Sequence, residues 1–238
     1  MEKKIEIEAI KGVNEKIGGK LFIPKGKGPF PAVIFFHGSG GTGDTHFETA
    51  KMLSEHGILG FAFNYQGVGL SGGKFEDQTI SNAVSDGVAA ISHLLFQVDE
   101  ADNTRIGFVG GSLGGYIAAI IAGLKNQDAK SMVLVSPAAY AESAVNNQRD
   151  ADRDLEKGFE DSLSYKMIRN FKGDLMVQIC EEDNVLPKGM AEIYYNEAIN
   201  AKSKNLYIIK GAKHRISVQP KQKKESQDKI VEWFLKTL

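Results

Sequence analysis

The sequence predicts an α/β protein built on an eight-stranded, mostly parallel sheet with helices on both faces. Three observations carry that expectation. The chain starts with a hairpin pattern, then alternates apolar runs of strand length with stretches of helical periodicity, and Gly-rich turns follow several of the runs. Such alternation gives parallel strands joined by crossover helices. At 238 residues the chain is expected to fold as one domain over 1–238, with a small cap inserted at 138–172.

Each element has its own pattern. Residues 4–10 alternate, with Ile5 and Ile7 on one side and Glu6 and Glu8 on the other, as in a half-buried strand. Lys11 to Asn14 supplies turn residues, and 15–23 can return as the second strand. Residues 24–31 hold three prolines and two glycines and read as a loop. The run 32–36 is continuously apolar, as expected of a strand covered on both faces. A helix over 45–56, a buried strand over 58–63 and a longer helix over 78–96 follow. The longer helix places Ile80, Val84, Val88, Ile91 and Leu95 at three- and four-residue spacing. Then come strand 105–109, helix 113–124 and strand 132–135. Segment 138–172 breaks the pattern, being polar, rich in charge and without a clear strand. Strand 175–179, helix 188–200, strand 205–209 and a C-terminal helix bearing Ile230, Val231, Phe234, Leu235 and Leu238 complete the chain.

Composition excludes several classes. With a net charge of −1 and no basic stripe to neutralise phosphates, nucleic acid is not an expected partner. Lys221, Lys223 and Lys224 are balanced by Glu225 and Asp228, and read as a solvated helix start. The one cysteine, Cys180, allows no intramolecular disulfide. The N-terminus lacks a signal-peptide apolar region, and no run approaches the ~20 apolar residues of a membrane span. A cytoplasmic protein without a membrane partner is expected.

The strongest chemical signal is Gly110-Gly111-Ser112-Leu113-Gly114, a G-x-S-x-G lying between a predicted strand and a predicted helix. A nucleophile on such a sharp turn needs neighbours without side chains. The helix that begins there aims backbone N–H groups at the reacting centre. A serine hydroxyl is a weak nucleophile and needs a histidine to take its proton. Of His37, His46, His56, His93 and His214, only His214 follows Ser112, as the order Ser, acid, His of this architecture requires. The acid should leave strand 175–179, where Glu181, Glu182 and Asp183 stand in a row. Asp183 is preferred because Asn184-Val185-Leu186-Pro187 then forms a turn into a helix; Glu182 is the alternative.

Several decoys need an answer. Gly38-Ser39-Gly40-Gly41-Thr42-Gly43 has the letters of a dinucleotide fingerprint, but the residue expected to hold a ribose is Asn64 rather than an acid. Gly67 to Gly72 fits the same template again, so no nicotinamide cofactor is expected. The histidines are scattered and H-E-x-x-H is absent, so no metal is expected either. The acids Asp150, Asp152, Asp154, Glu156, Glu160 and Asp161 lack EF-hand spacing and read as a solvated helical face. Phe61, Phe63 and Phe75 are expected in the core rather than in a pocket.

These motifs resemble the α/β-hydrolase superfamily, and in particular compact bacterial serine esterases of the carboxylesterase and cinnamoyl or feruloyl type. His37-Gly38 is similar to the family's H-G loop, and Gly211-Ala212-Lys213-His214 to its G-x-x-H. Tyr65-Gln66-Gly67-Val68-Gly69-Leu70-Ser71 resembles Y-R-G-x-G-x-S, with Gln66 in place of arginine. Cys180 stands where a glycine is common. The resemblance implies an oxyanion hole from the backbone N–H groups of Ser39 and Leu113, with His37 structural. It also implies hydrolysis of short-chain or aromatic acyl esters, with no cofactor and a small-molecule ester as partner. An acyl-peptide or amide hydrolase and a non-catalytic binding protein are the competing expectations.

Overall fold

Strand alternation sorts the core into two layers. In Phe30–Phe36, Val33 and Phe35 face one side of the sheet while Ile34 and Phe36 face the other. The computed structural model describes residues 1–8, 16–125, 129–142 and 158–238. Its strands are β1 Glu2–Glu8, β2 Lys16–Phe22, β3 Phe30–Phe36, β4 Leu59–Phe63, β5 Ala101–Gly111, β6 Ser131–Val135, β7 Asp174–Cys180 and β8 Ser203–Ile209. They form one eight-stranded sheet in the order β1-β2-β4-β3-β5-β6-β7-β8. β1 and β2 pair antiparallel, as do β2 and β4, and every other pairing is parallel. The hairpin at the start and the parallel remainder are those expected; the turn at 11–14 lies outside the described residues.

The helices are α1 Phe47–Glu55, α2 Ile80–Gln97, α3 Leu113–Ala122, α4 Leu163–Ile168, α5 Met190–Glu197 and α6 Pro220–Thr237. Ala50 and Leu53 of α1 and Ile230, Val231 and Phe234 of α6 pack with Val33, Phe35, Val109 and Val133 on one face. α2, α3, α4 and α5 cover the other face around Phe36, Phe61, Phe108 and Tyr116. Phe61 and Phe63 are core residues as expected, whereas Phe75 is 41% exposed. The stretch expected to start α1 at residue 45 instead opens with a 3-10 turn, Gly43–His46. Asn64, at the end of β4, accepts the Gly43 N–H at 2.8 Å and pins that turn to the sheet.

Within 138–172, residues 143–157 lie outside the described residues, and with them Asp150, Asp152, Asp154 and Glu156. The rest belongs to the body of the fold. α4 lies against α3 and α5, with Tyr165, Ile168 and Phe171 buried. Tyr165 and Tyr194 meet edge to face at 4.7 Å between ring centres. Among the described residues no helix is long and apolar enough to cross a membrane.

Sheet order decides where chemistry can happen. From β3 the chain goes first to β4 on one side and then to β5 on the other. Such a reversal opens a crevice beyond the carboxyl ends of the two central strands.

Candidate active site

Ser112 follows β5 at that crevice. Its backbone sits at φ 52°, a left-handed conformation that few non-glycine residues adopt. Four hydrogen bonds hold it there. Its N–H donates to Val135 O at 3.1 Å, and its carbonyl accepts from Gly115, Tyr116 and Ala138 at 2.9, 3.2 and 3.0 Å. Strain of this kind persists only where the surroundings over-determine it. The flanking glycines are required by space. A Cβ on Gly110 would lie 2.4 Å from Gly114 O, and one on Gly114 only 1.9 Å from Phe36 O.

The structure brings together all three side chains singled out from the sequence. His214, five residues past the end of β8, places Nε2 3.0 Å from Ser112 Oγ and Nδ1 2.7 Å from Asp183 Oδ2. Asp183, three residues past β7, also accepts the Val185 and Leu186 N–H groups on Oδ1 at 2.9 and 3.0 Å. Burial pushes the Asp183 carboxyl up, but the bonds from His214, Leu186 and Val185 outweigh it and hold the group below the usual carboxylate range. A carboxylate so held keeps the Nδ1–H tautomer of the imidazole, leaving Nε2 free to accept from the serine. Glu182, the alternative acid, is exposed, and its N–H donates to Ala212 O at 2.8 Å. Glu181 is exposed too, bonded to Lys210 Nζ at 2.8 Å and the Gly211 N–H at 2.9 Å.

Ser39 and Leu113 flank the serine. Leu113 opens α3, where first-turn N–H groups have no partner inside the helix. Ser39 lies on the cleft wall beside Ser112, and a Cβ on Gly38 would come within 3.4 Å of Ser112 Cβ. His37 is buried beneath this loop. Its Nδ1–H donates to Gly38 O at 2.9 Å and its Nε2 accepts the Tyr65 N–H at 3.1 Å. Burial pushes its imidazole down to about 4, so at neutral pH it is an uncharged brace between two loops.

Gln219 and Tyr140 contribute without a signal in the sequence, whereas Gln66 is marked there by its departure from arginine. Gln219, at the start of α6, accepts the Lys213 N–H at 2.7 Å and donates to Gly211 O at 3.2 Å, bracing the loop that carries His214. Tyr140 lines the cleft and packs edge to face on Tyr116 at 5.0 Å. Gln66, the residue in place of arginine, bonds the buried Asp86 carboxylate twice, through its N–H at 2.8 Å and Nε2 at 2.7 Å. The cleft has a volume of about 650 Å³ and runs from Ser112 and His214 down between α1 and α6, to Thr49, Ser226 and Gln227. Among the described residues no group of three or more His, Cys, Asp or Glu side chains could hold a metal ion.

An eight-stranded sheet of this order, with a strained serine turn after β5 and an acid and a histidine after β7 and β8, defines the α/β-hydrolase fold. The chain belongs to the prolyl oligopeptidase family, whose profile it matches over residues 45–238. Among curated proteins it is similar to esterase EstD of Thermotoga maritima, 29% identical over 158 residues that are 62% of this chain and 33% of that protein. It is also 32% identical over 96 residues to the 2,6-dihydropseudooxynicotine hydrolase of Paenarthrobacter nicotinovorans, covering 40% of this chain and 25% of that one. The matched regions thus span about a third and a quarter of these relatives. Among solved structures, Est1E of Butyrivibrio proteoclasticus with bound ferulic acid superposes at TM-score 0.75 and 18% identity, covering 97% of this chain and 99% of that one. The Pyrococcus furiosus esterase Pf2001 superposes at 0.76 and 20% identity, covering 100% and 93%.

Proposed function

We propose that this chain hydrolyses carboxylic esters with short-chain or aromatic acyl groups, through an acyl-enzyme on Ser112. The observation that carries the reading is the hydrogen-bonded series Asp183–His214–Ser112, at 2.7 and 3.0 Å, ending on a strained serine at the floor of an open cleft. The similarity to EstD supports the choice of esters.

In the first half-reaction Ser112 Oγ attacks the ester carbonyl while His214 Nε2 takes the hydroxyl proton. Charge develops on the carbonyl oxygen, which the N–H groups of Ser39 and Leu113 would receive. Asp183 stabilises the imidazolium without taking its proton. His214 then protonates the departing alkoxide, which leaves as the alcohol. In the second half water gives its proton to His214, attacks the acyl carbon, and releases the acid as Ser112 recovers its proton. Both proton transfers run through side chains that are hydrogen-bonded to one another in the free protein.

Family membership favours a second reading, cleavage of peptide or acyl-peptide bonds by the same three groups. The test is turnover of p-nitrophenyl acetate, butyrate, octanoate and laurate, with a dipeptide p-nitroanilide alongside, by wild type and Ser112→Ala. Ester turnover that vanishes in the variant is expected, strongest for the short chains. Hydrolysis of the anilide alone would replace the ester reading with the peptidase one.

A further inference from the structure

We propose that Arg215 makes this cleft selective for esters that themselves carry a carboxylate; the inference rests on the ester-hydrolase reading and names its substrate class. Arg215 directly follows His214 and lines the same cleft as Ser112. It is exposed. The other two described arginines each hold a carboxylate, Arg105 that of Asp102 at 2.7 Å and Arg169 that of Glu197 at 2.5 Å. Among the described residues no carboxylate pairs with Arg215, which leaves its guanidinium fork available to a ligand.

The rest of the lining points the same way. Among the described residues that line the cleft there is no aspartate or glutamate. Its other cation, Lys223, is already paired with Glu48 at 2.5 Å. Asp183 spends its charge on His214. One unneutralised positive charge therefore stands on the wall of the cleft that holds Ser112, although the chain as a whole carries a net charge of −1. An anionic substituent would be drawn in and oriented there, and guanidinium matches a carboxylate with two parallel N–H donors. A neutral ester would meet the same triad but leave this fork to water. The apolar stretch beside it, Val135, Val185 and Ile216, would take the body of the substrate.

Two ester pairs test this, one with the carboxylate on the leaving side and one with it on the acyl side. They are para-acetoxybenzoate against para-acetoxybenzamide, and mono-p-nitrophenyl adipate against p-nitrophenyl hexanoate. The quantity read is the anionic-to-neutral ratio of kcat/KM, which cancels general effects of a variant on the chemistry. In at least one pair the ratio should fall about tenfold from wild type to Arg215→Gln, the size expected of one charge-assisted contact. The loss should lie mainly in KM, Arg215→Lys should keep part of the ratio, and rising NaCl should shrink it in wild type. Ratios unchanged by Arg215→Gln in both pairs would overturn the inference and leave the ester reading standing. Turnover of none of the four esters would overturn both.

Discussion

Ser112, Asp183 and His214 stand 71 and 31 residues apart in the chain, yet their side chains form one unbroken series of hydrogen bonds. Each link has a distinct consequence. Ser112→Ala should lower kcat by at least ~10³-fold with the fold intact, because it removes the attacking oxygen and no buried contact. Asp183→Asn should be nearly as damaging, since an amide presenting NH₂ to Nδ1 favours the wrong tautomer. Glu182→Gln should stay within a few-fold of wild type, because that side chain points to solvent. Steady-state kinetics on one p-nitrophenyl ester decides among these, and an inactive Glu182→Gln beside an active Asp183→Asn would reverse the assignment of the acid.

At the scale of the element, α6 seals one face of the sheet. Phe234 is fully buried, and Gly107 of β5 leaves the room its ring fills, since a Cβ there would lie 2.5 Å from Phe234 Cε1. Phe234→Ala should therefore cost about 3–5 kcal/mol, lost burial plus cavity, read as a lower urea midpoint at unchanged m-value. The start of α2 offers a smaller and cleaner case. Thr79 Oγ1 accepts the Asn82 N–H at 3.1 Å as an N-cap. Thr79→Ala should cost about 1 kcal/mol, and Thr79 does not line the catalytic cleft.

For the molecule as a whole, the Gln66–Asp86 pair makes one contribution to how stability depends on pH, and the buried His37 and His46, both pushed down by burial, act against it. Asp86 is 1% exposed, and burial pushes its carboxyl up to about 6 from an ordinary 3.8, against the two bonds from Gln66. An arginine at 66 would neutralise that charge, but glutamine cannot. Between those two pH values the folded state holds a proton on Asp86 that the unfolded chain has released, so the contribution of Asp86 to stability falls as pH rises. This contribution is fully present below pH 3.8 and lost above about pH 6. It amounts to as much as about 3 kcal/mol at 1.36 kcal/mol per pKa unit. Asp183 acts in the opposite sense: its lowered carboxyl adds stability that is lost as pH falls. Asp86→Asn should thus gain stability relative to wild type between pH 4 and pH 8, measured by urea unfolding at each pH. A difference that does not change with pH would show that Asp86 does not titrate in that window.

Much of this molecule could be read without coordinates, because the features concerned are local. A strand buried on both faces is a short apolar run, a nucleophile turn is a fixed string of glycines, and a base at the end of the last strand has few candidates. The strands, the two-sided helical cover and the residues Ser112, Asp183 and His214 came from such patterns. Helix starts and the fate of 158–172 did not, since the 3-10 turn before α1 depends on Asn64 and α4 on its neighbours α3 and α5. Tertiary structure alone decided that Gln66 meets Asp86, that Gln219 braces the His214 loop, and that Arg215 faces the cleft. Those contacts join segments by side chains whose direction no periodicity encodes, and only the folded sheet fixes which of them meet.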